Sequence, residues 1–219
     1  MLFKKEEWGE KIQLVISFLL RATLLVGMTS AADKGNWLTL FMATFALLLT
    51  FLPSLIERNY KIYLPIEFEL AVTLFVYSSL FLGEVHQYYT KFWWWDLFLH
   101  SFAGLTFGFI GFLIMYVLHY ERKVAASPIL IALFSFCFAV AIGSIWEIFE
   151  FSMDHFLGFN MQKSGLMDTM ADMIVNSGGA LLTATIGYFY VKGGPRLLFD
   201  RFLNRFIEKN PRLFKGRNL

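Results

Sequence analysis

Six stretches of the chain are apolar for long enough to cross a membrane as helices: about 12–32, 37–56, 62–83, 93–118, 128–151 and 168–191. A hydrocarbon core about 30 Å thick takes roughly 20 apolar residues in an α-helix. The connections are short, and no strand-like alternation of period two competes with the helical reading. Pro128, preceded by Ser127, marks a helix start, since proline lacks an N–H that the first turn leaves unpaired and serine can cap that turn. Pro53 and Pro65 fall near span ends, where a missing N–H costs least. No internal repeat is visible. The pattern predicts an all-α polytopic membrane protein: six transmembrane helices in one bundle over residues 1–191, then a basic amphipathic tail over 192–219.

Composition agrees with the pattern. Of 219 residues, 57% are hydrophobic and only 16% charged, against about a quarter charged in an average soluble domain. Twenty-six Phe and six Trp add bulk that a soluble core of this size could hardly enclose. The formal charge of +2 is too small to suggest nucleic acid, so the expected partners are membrane lipids. A single cysteine, Cys137, excludes an internal disulfide. Ser30 and Ala32 have the small-x-small look of a signal-peptide cleavage site. Glu6, Glu7 and Glu10 before the first apolar stretch, and Arg21 within it, instead favour a retained span.

Six spans place both termini on one side. Lys4, Lys5, Lys11, Arg58, Lys61, Arg122 and Lys123 belong to that side, as does the basic tail. Lys34, Lys91 and Lys163 belong to the other. Cytoplasmic loops carry the excess of Lys and Arg, so both termini are expected in the cytoplasm. In the tail, Leu197, Leu198, Phe202, Phe206 and Ile207 offer one apolar face. It reads equally as a helix lying on anionic lipid and as a topology-setting tail without specific contacts.

Ionisable groups in membrane helices are costly, and they usually face the bundle interior and mark function. Here they gather. Glu84 and His86 follow span three. Asp96 and His100 open span four at i, i+4, hence on one face. Glu147, Glu150 and Asp154 close span five, and Asp168, Asp172 and Asn176 open span six at i+4 steps. By the topology above, all lie at the non-cytoplasmic ends, with Lys91 and Lys163 as the cations near them. Carboxylates packed this way cannot all stay ionised without a counter-charge. Either protons or a metal ion must intervene. An oxygen-rich set favours Ca²⁺ or Mg²⁺, and zinc or iron also fits because His100 and Glu147-x-x-Glu150 serve either. Against this, Glu84, Asp154 and His155 can simply reach water. For Glu147, Asp172 and Asn176 the rival is a polar network joining helices. Trp93, Trp94 and Trp95 read as an interfacial aromatic belt. Gly104-x-x-x-Gly108 and Gly178–Gly179 read as close helix contacts. Arg21 is expected to pair internally with Glu67 or Glu69; the alternative is a substrate anion.

The series Asp96-x-x-x-His100, Trp146-Glu147-x-x-Glu150 and Asp168-x-x-x-Asp172-x-x-x-Asn176-x-x-Gly179 resembles that of YjdF-like bacterial inner-membrane proteins, over most of the chain. Over about 96–187 it is similar to the VanZ-like family associated with teicoplanin resistance. The stretch DTMADMIVNSGGA, with the ExxE before it, also resembles phosphatidylserine synthases. VanZ-like proteins tend to carry Gln where Glu150 stands, so the present site is the more acidic one. The resemblance implies a multi-pass protein of the bacterial cytoplasmic (inner) membrane, with a site for lipid head groups, and phosphatidyl transfer as one such chemistry. The expected function is a metal-assisted transferase or hydrolase acting on a phospholipid or lipid-linked phosphate at the outer leaflet. His100, Asp96 and Glu147 are the expected catalytic groups, with His100 as general base. Glu150, Asp168 and Asp172 are the expected ligands of a divalent cation, and Asn176 a head-group contact. The rivals are an ion or small-molecule transporter and a non-catalytic lipid-binding factor. A conduction path would carry polar groups to the opposite face, where only Glu67, Glu69 and Arg21 could extend it.

Overall fold

The computed structural model describes residues 2–158, 160–193 and 200–214. Among them every regular element is helical, and six helical stretches are long and apolar enough to span a bilayer: Lys11–Asp33, Thr39–Tyr60, Ile66–Val85, Trp95–Tyr120, Pro128–Leu157 and Leu166–Val191. The chain is thus an all-helical, multi-pass membrane protein. It divides into two compact units, residues 1–95 and 96–219, with three spans apiece.

In the first unit, α1 (Leu2–Asp33) packs on α2 (Trp37–Leu49) and on α4 (Ile66–Val76). Asn36 caps α2, its side chain accepting from Thr39 N at 3.1 Å. The second span is not one continuous helix. It restarts as α3 (Leu52–Tyr60) with Pro53 in its first turn, so Pro53 breaks the span internally instead of marking its end. A proline supplies no N–H to the preceding turn, and the ladder is interrupted there. Pro65 does stand at an end, immediately before α4. The third span then widens into a π-helical segment, Tyr77–Val85. It is pinned by Tyr89 Oη against Ser79 Oγ at 3.0 Å and by Trp95 Nε1, which donates to Ser78 O at 3.2 Å. A short helix, α5 (Tyr88–Lys91), completes the unit. Leu24, Ala43, Ala46, Val76 and Phe81 form its core. Arg21 pairs with Glu69 at 2.9 Å and donates to Thr50 Oγ1 and Thr50 O, as the internal-pair expectation held.

The second unit contains α6 (Trp95–Tyr120), α7 (Pro128–Leu157) and α8 (Leu166–Val191). Ser127 caps α7 through Leu130 N at 3.3 Å, with Pro128 in the first turn. Glycines let these helices approach. A Cβ at Gly104 would meet Asn176 O, and one at Gly179 would meet Ser101 O, both backbone atoms. Gly108 faces Thr183 closely, whereas Gly178 borders open space and makes no such contact. Ser135 Oγ donates to Gly108 O at 2.6 Å and Thr183 Oγ1 to Leu105 O at 3.1 Å, tying α7 and α8 to α6.

Beyond α8, α9 (Asp200–Lys209) turns its apolar face to protein. Leu203 joins a core with Phe112, Met115, Ala126 and Ile131, while Phe206 and Ile207 are buried. Phe202 meets Phe109 edge-on at 4.7 Å. The described part of that face, Phe202, Leu203, Phe206 and Ile207, therefore packs on protein. Leu197, Leu198 and the side chains of Lys4 and Lys5 lie outside the described residues.

Candidate functional site

His100 sits five residues into α6, about 7 Å along the axis from its start, and is buried. Both imidazole nitrogens face acids. Nε2 lies 3.6 Å from Asp96 Oδ1, one turn earlier on the same helix, and 3.9 Å from Asp172 Oδ2 of α8. Nδ1 lies 3.7 Å from Glu147 Oε1 of α7. These separations exceed a hydrogen bond. Glu150 completes the group: one ligand atom from each of His100, Glu147 and Glu150 lies within 4.8 Å of the others, and the same holds for Asp96, His100 and Asp172. Residues from three helices thus converge where the first turns of α6 and α8 meet the last turns of α7.

The cluster carries more negative groups than positive ones to answer them. Two carboxylates within 4.8 Å of one another, if both ionised, repel by roughly 3.5 kcal/mol or more at an effective dielectric of about 20. Glu147 is 5% exposed and Asp172 2%. By distance and angle neither oxygen of Glu147 closes a hydrogen bond among the described residues, the Thr169 hydroxyl being the group placed to donate to it, and Asp172 Oδ2 closes none either. Buried polar groups are nearly always paired, so three open acceptors around one imidazole are unusual. Glu150 is held: Trp146 Nε1 donates to its Oε1 at 2.9 Å. Lys163 Nζ reaches Asp96 Oδ2 at 2.6 Å.

The residues singled out from the sequence separate into three groups. His100, Asp96, Glu147, Glu150 and Asp172 come together. Asp168 is one turn nearer the start of α8, beside Asp96 and Lys163, and outside both ligand sets. Asn176 lies deeper, its Nδ2 donating to Ala139 O at 3.4 Å and its amide pressed against the space Gly143 leaves empty; there it acts as a tie between α7 and α8. Asp154 accepts from Met161 N at 2.7 Å and Gln162 N at 2.8 Å, which fastens the α7–α8 loop. His155 is exposed and stacks on Phe151. Glu84 and His86 belong to the first unit and are exposed there. The sequence reading gave no role to Trp146 or Thr169. For Trp146 a signal existed, its i, i+4 spacing to Glu150; the placement of Lys163 on Asp96 had none.

Comparison with known proteins agrees with the membrane architecture and leaves the chemistry open. Residues 12–193 match the model of the family described as Predicted membrane protein (DUF2238), and the chain belongs to that family. The match ends before α9. An uncharacterized protein of Thermotoga maritima is 30% identical over 141 residues, which cover 63% of this chain and 70% of that one. No solved structure matches.

Proposed function

We propose that this DUF2238 protein is a membrane-embedded, metal-assisted enzyme acting on the phosphate of a phospholipid or another lipid-linked phosphate. The observation that carries the reading is the set of three buried carboxylate oxygens on Glu147 and Asp172 that face His100 without closing a hydrogen bond to it. A divalent cation would satisfy the open acceptors and offset the mutual repulsion together; protonation of the carboxylates is the rival that the test below separates. Asp96, His100 Nε2 and Asp172 are the set to hold it, with Nδ1 turned to Glu147, an arrangement that fixes the imidazole tautomer. An imidazole among the ligands moves the expected ion from calcium or magnesium toward manganese, zinc or iron.

Such an ion supplies Lewis acidity at a phosphoryl oxygen. Glu150, steadied by Trp146, is then the carboxylate able to take a proton from the attacking water or hydroxyl. The likeness to phosphatidylserine synthases would make His100 the base and Asp168 a ligand, but the distances favour the first assignment. Further along α6–α8, Ser135 and Thr183 are engaged with backbone carbonyls. That favours a site open to one face over a conduction path. With both termini cytoplasmic, as the lysine and arginine distribution favours, this face is the outer leaflet of a bacterial inner membrane. The YjdF-like and VanZ-like motif order supports the same setting.

The test is direct. Protein purified, stripped with chelator and refilled with Mn²⁺, Zn²⁺, Mg²⁺ or Ca²⁺ should recover melting temperature with one of them and retain it on elemental analysis. The loaded form should change head groups of lipids in nanodiscs, and His100→Ala should not. If no ion is retained and none raises Tm, the cluster is a protonated polar network and the proposal fails. For orientation, in a Cys137→Ser background, Ser164→Cys should react with an impermeant thiol reagent outside intact cells and Ala125→Cys should not. The reverse labelling moves the site to the cytoplasmic leaflet.

A further inference from the structure

The α7–α8 loop brings a cation, Lys163, to the acidic cluster. Lys163 Nζ lies 2.6 Å from Asp96 Oδ2, and its side chain is 32% exposed. The loop that carries it is anchored rather than loose. Asp154 accepts two of its backbone N–H groups, Gln162 Nε2 donates to Thr169 Oγ1 at 2.7 Å, and the Lys163 backbone reaches Asp168. Gly158 and Gly165 bound the loop at φ 71° and 64°, left-handed values that a residue with a Cβ adopts only under strain. A fixed backbone therefore delivers a four-carbon, rotatable ammonium to the mouth of the site.

The partner it holds, Asp96, is also a member of the Asp96–His100–Asp172 set. Lys163 sits on Asp96 Oδ2 while Oδ1 faces His100, so a cation on Oδ1 would lie close to the ammonium on the other oxygen. Repulsion between the two positive charges weakens the hold of Asp96 on Lys163. The loosened ammonium stays tethered at the mouth, beside a centre whose excess negative charge the cation has offset. A group that accepts from both is a phosphoryl oxygen, for which lysine is a frequent point-charge ligand.

We propose that Lys163 is a stowed phosphate-binding arm, parked on Asp96 until a divalent cation takes that carboxylate and then turned to the phosphoryl group of the substrate. This rests on the divalent-cation reading and adds the residue that recognises the anion. A phosphoryl group can arrive on a lipid or as free phosphate, so the two sources are tested in separate arms.

The full chain is reconstituted in phosphatidylcholine nanodiscs and titrated with Mn²⁺, then, once loaded, with inorganic phosphate. A parallel arm replaces inorganic phosphate with phosphatidic acid in the disc and reads its retention on the purified protein. Lys163→Met should bind Mn²⁺ more tightly, by about tenfold, because the competing ammonium is gone. The same variant should bind the phosphoryl ligand about tenfold more weakly, the scale of one charge-assisted hydrogen bond. Lys163→Arg should restore anion binding, which a merely structural lysine would not require. Whichever arm shows the loss identifies the source. If wild-type protein takes up no Mn²⁺, the cation reading falls and this inference with it. If Mn²⁺ binds but Lys163→Met leaves both affinities unchanged, or weakens Mn²⁺ binding, the arm is overturned while the cation site stands.

Discussion

Residues 1–95 and 96–219 each enclose charge among three apolar helices, and they treat it in opposite ways. In the first unit Arg21 meets Glu69 at 2.9 Å, donates twice to Thr50, and lies 4.5 Å from the Phe51 ring. Arg21 answers Glu69 and finds oxygen acceptors; Glu67 is a second acid on α4, and Ser17 Oγ and Thr73 Oγ1 are buried without a hydrogen bond among the described residues, but no acids gather around a titratable ring there. In the second unit Asp96, Glu147, Glu150 and Asp172 surround one imidazole, Lys163 meets Asp96, and three oxygens close no hydrogen bond among the described residues. Matched burial ties helices together. Unmatched burial is a standing cost that a ligand can remove, which is why the second unit and not the first is the candidate site. The glycines differ in the same sense. Gly27 and Gly83 of the first unit admit the rings of Phe81 and Tyr89, whereas Gly104 and Gly179 of the second admit backbone, drawing the helices close around the cluster.

The contrast can be broken first at Arg21. Arg21→Met leaves Glu69 without its counter-charge and should cost about 3–5 kcal/mol, the usual penalty for stranding one member of a buried pair. It is measured as a lower Tm in detergent, and adding Glu69→Gln should recover most of the loss. A single variant that melts like wild type would mean the pair is no tie at all.

Asp172→Asn should behave in the reverse manner. It removes one of several repelling charges with almost no change of shape, so the chelated variant should melt no lower than chelated wild type. What it should lose is the rise on adding metal, about 2.7 kcal/mol at a hundredfold excess over Kd. A large loss without metal would place Asp172 with Arg21 as a structural group.

Packing sharpens the comparison on a smaller scale. Gly104→Ala forces a methyl against Asn176 O and should destabilise by about 1–3 kcal/mol. Gly27→Ala in the first unit should cost less, since the edge of the Phe81 ring can shift where backbone cannot. Smallest is Gly178→Ala: with nothing near its added methyl, it should gain up to about 1 kcal/mol from helix propensity. Chemical denaturation in one detergent ranks all three, and equal costs at Gly104 and Gly178 would remove the close helix contact from the account.

These predictions draw on two kinds of information. The spans, the cap at Ser127 and the one-face spacing of Asp96 with His100 were all legible along the chain, because hydropathy and helical period act over neighbouring residues whatever the fold. So was the pairing of Arg21 with an acid of the third span, because a charge among apolar residues needs an opposite charge at similar depth. The break at Pro53 was missed, since a proline there could equally end a span or restart it. Which acids share His100, that Asn176 ties two helices instead of lining the site, that Lys163 rests on Asp96, and that α9 covers its apolar face with Phe109 and Phe112 neighbours were decided only by tertiary packing. Each depends on how far one helix is rotated and slid against the next. That register comes from many weak contacts summed along α6, α7 and α8, with Gly104, Gly143 and Gly179 setting how near they come, and no local pattern records the sum.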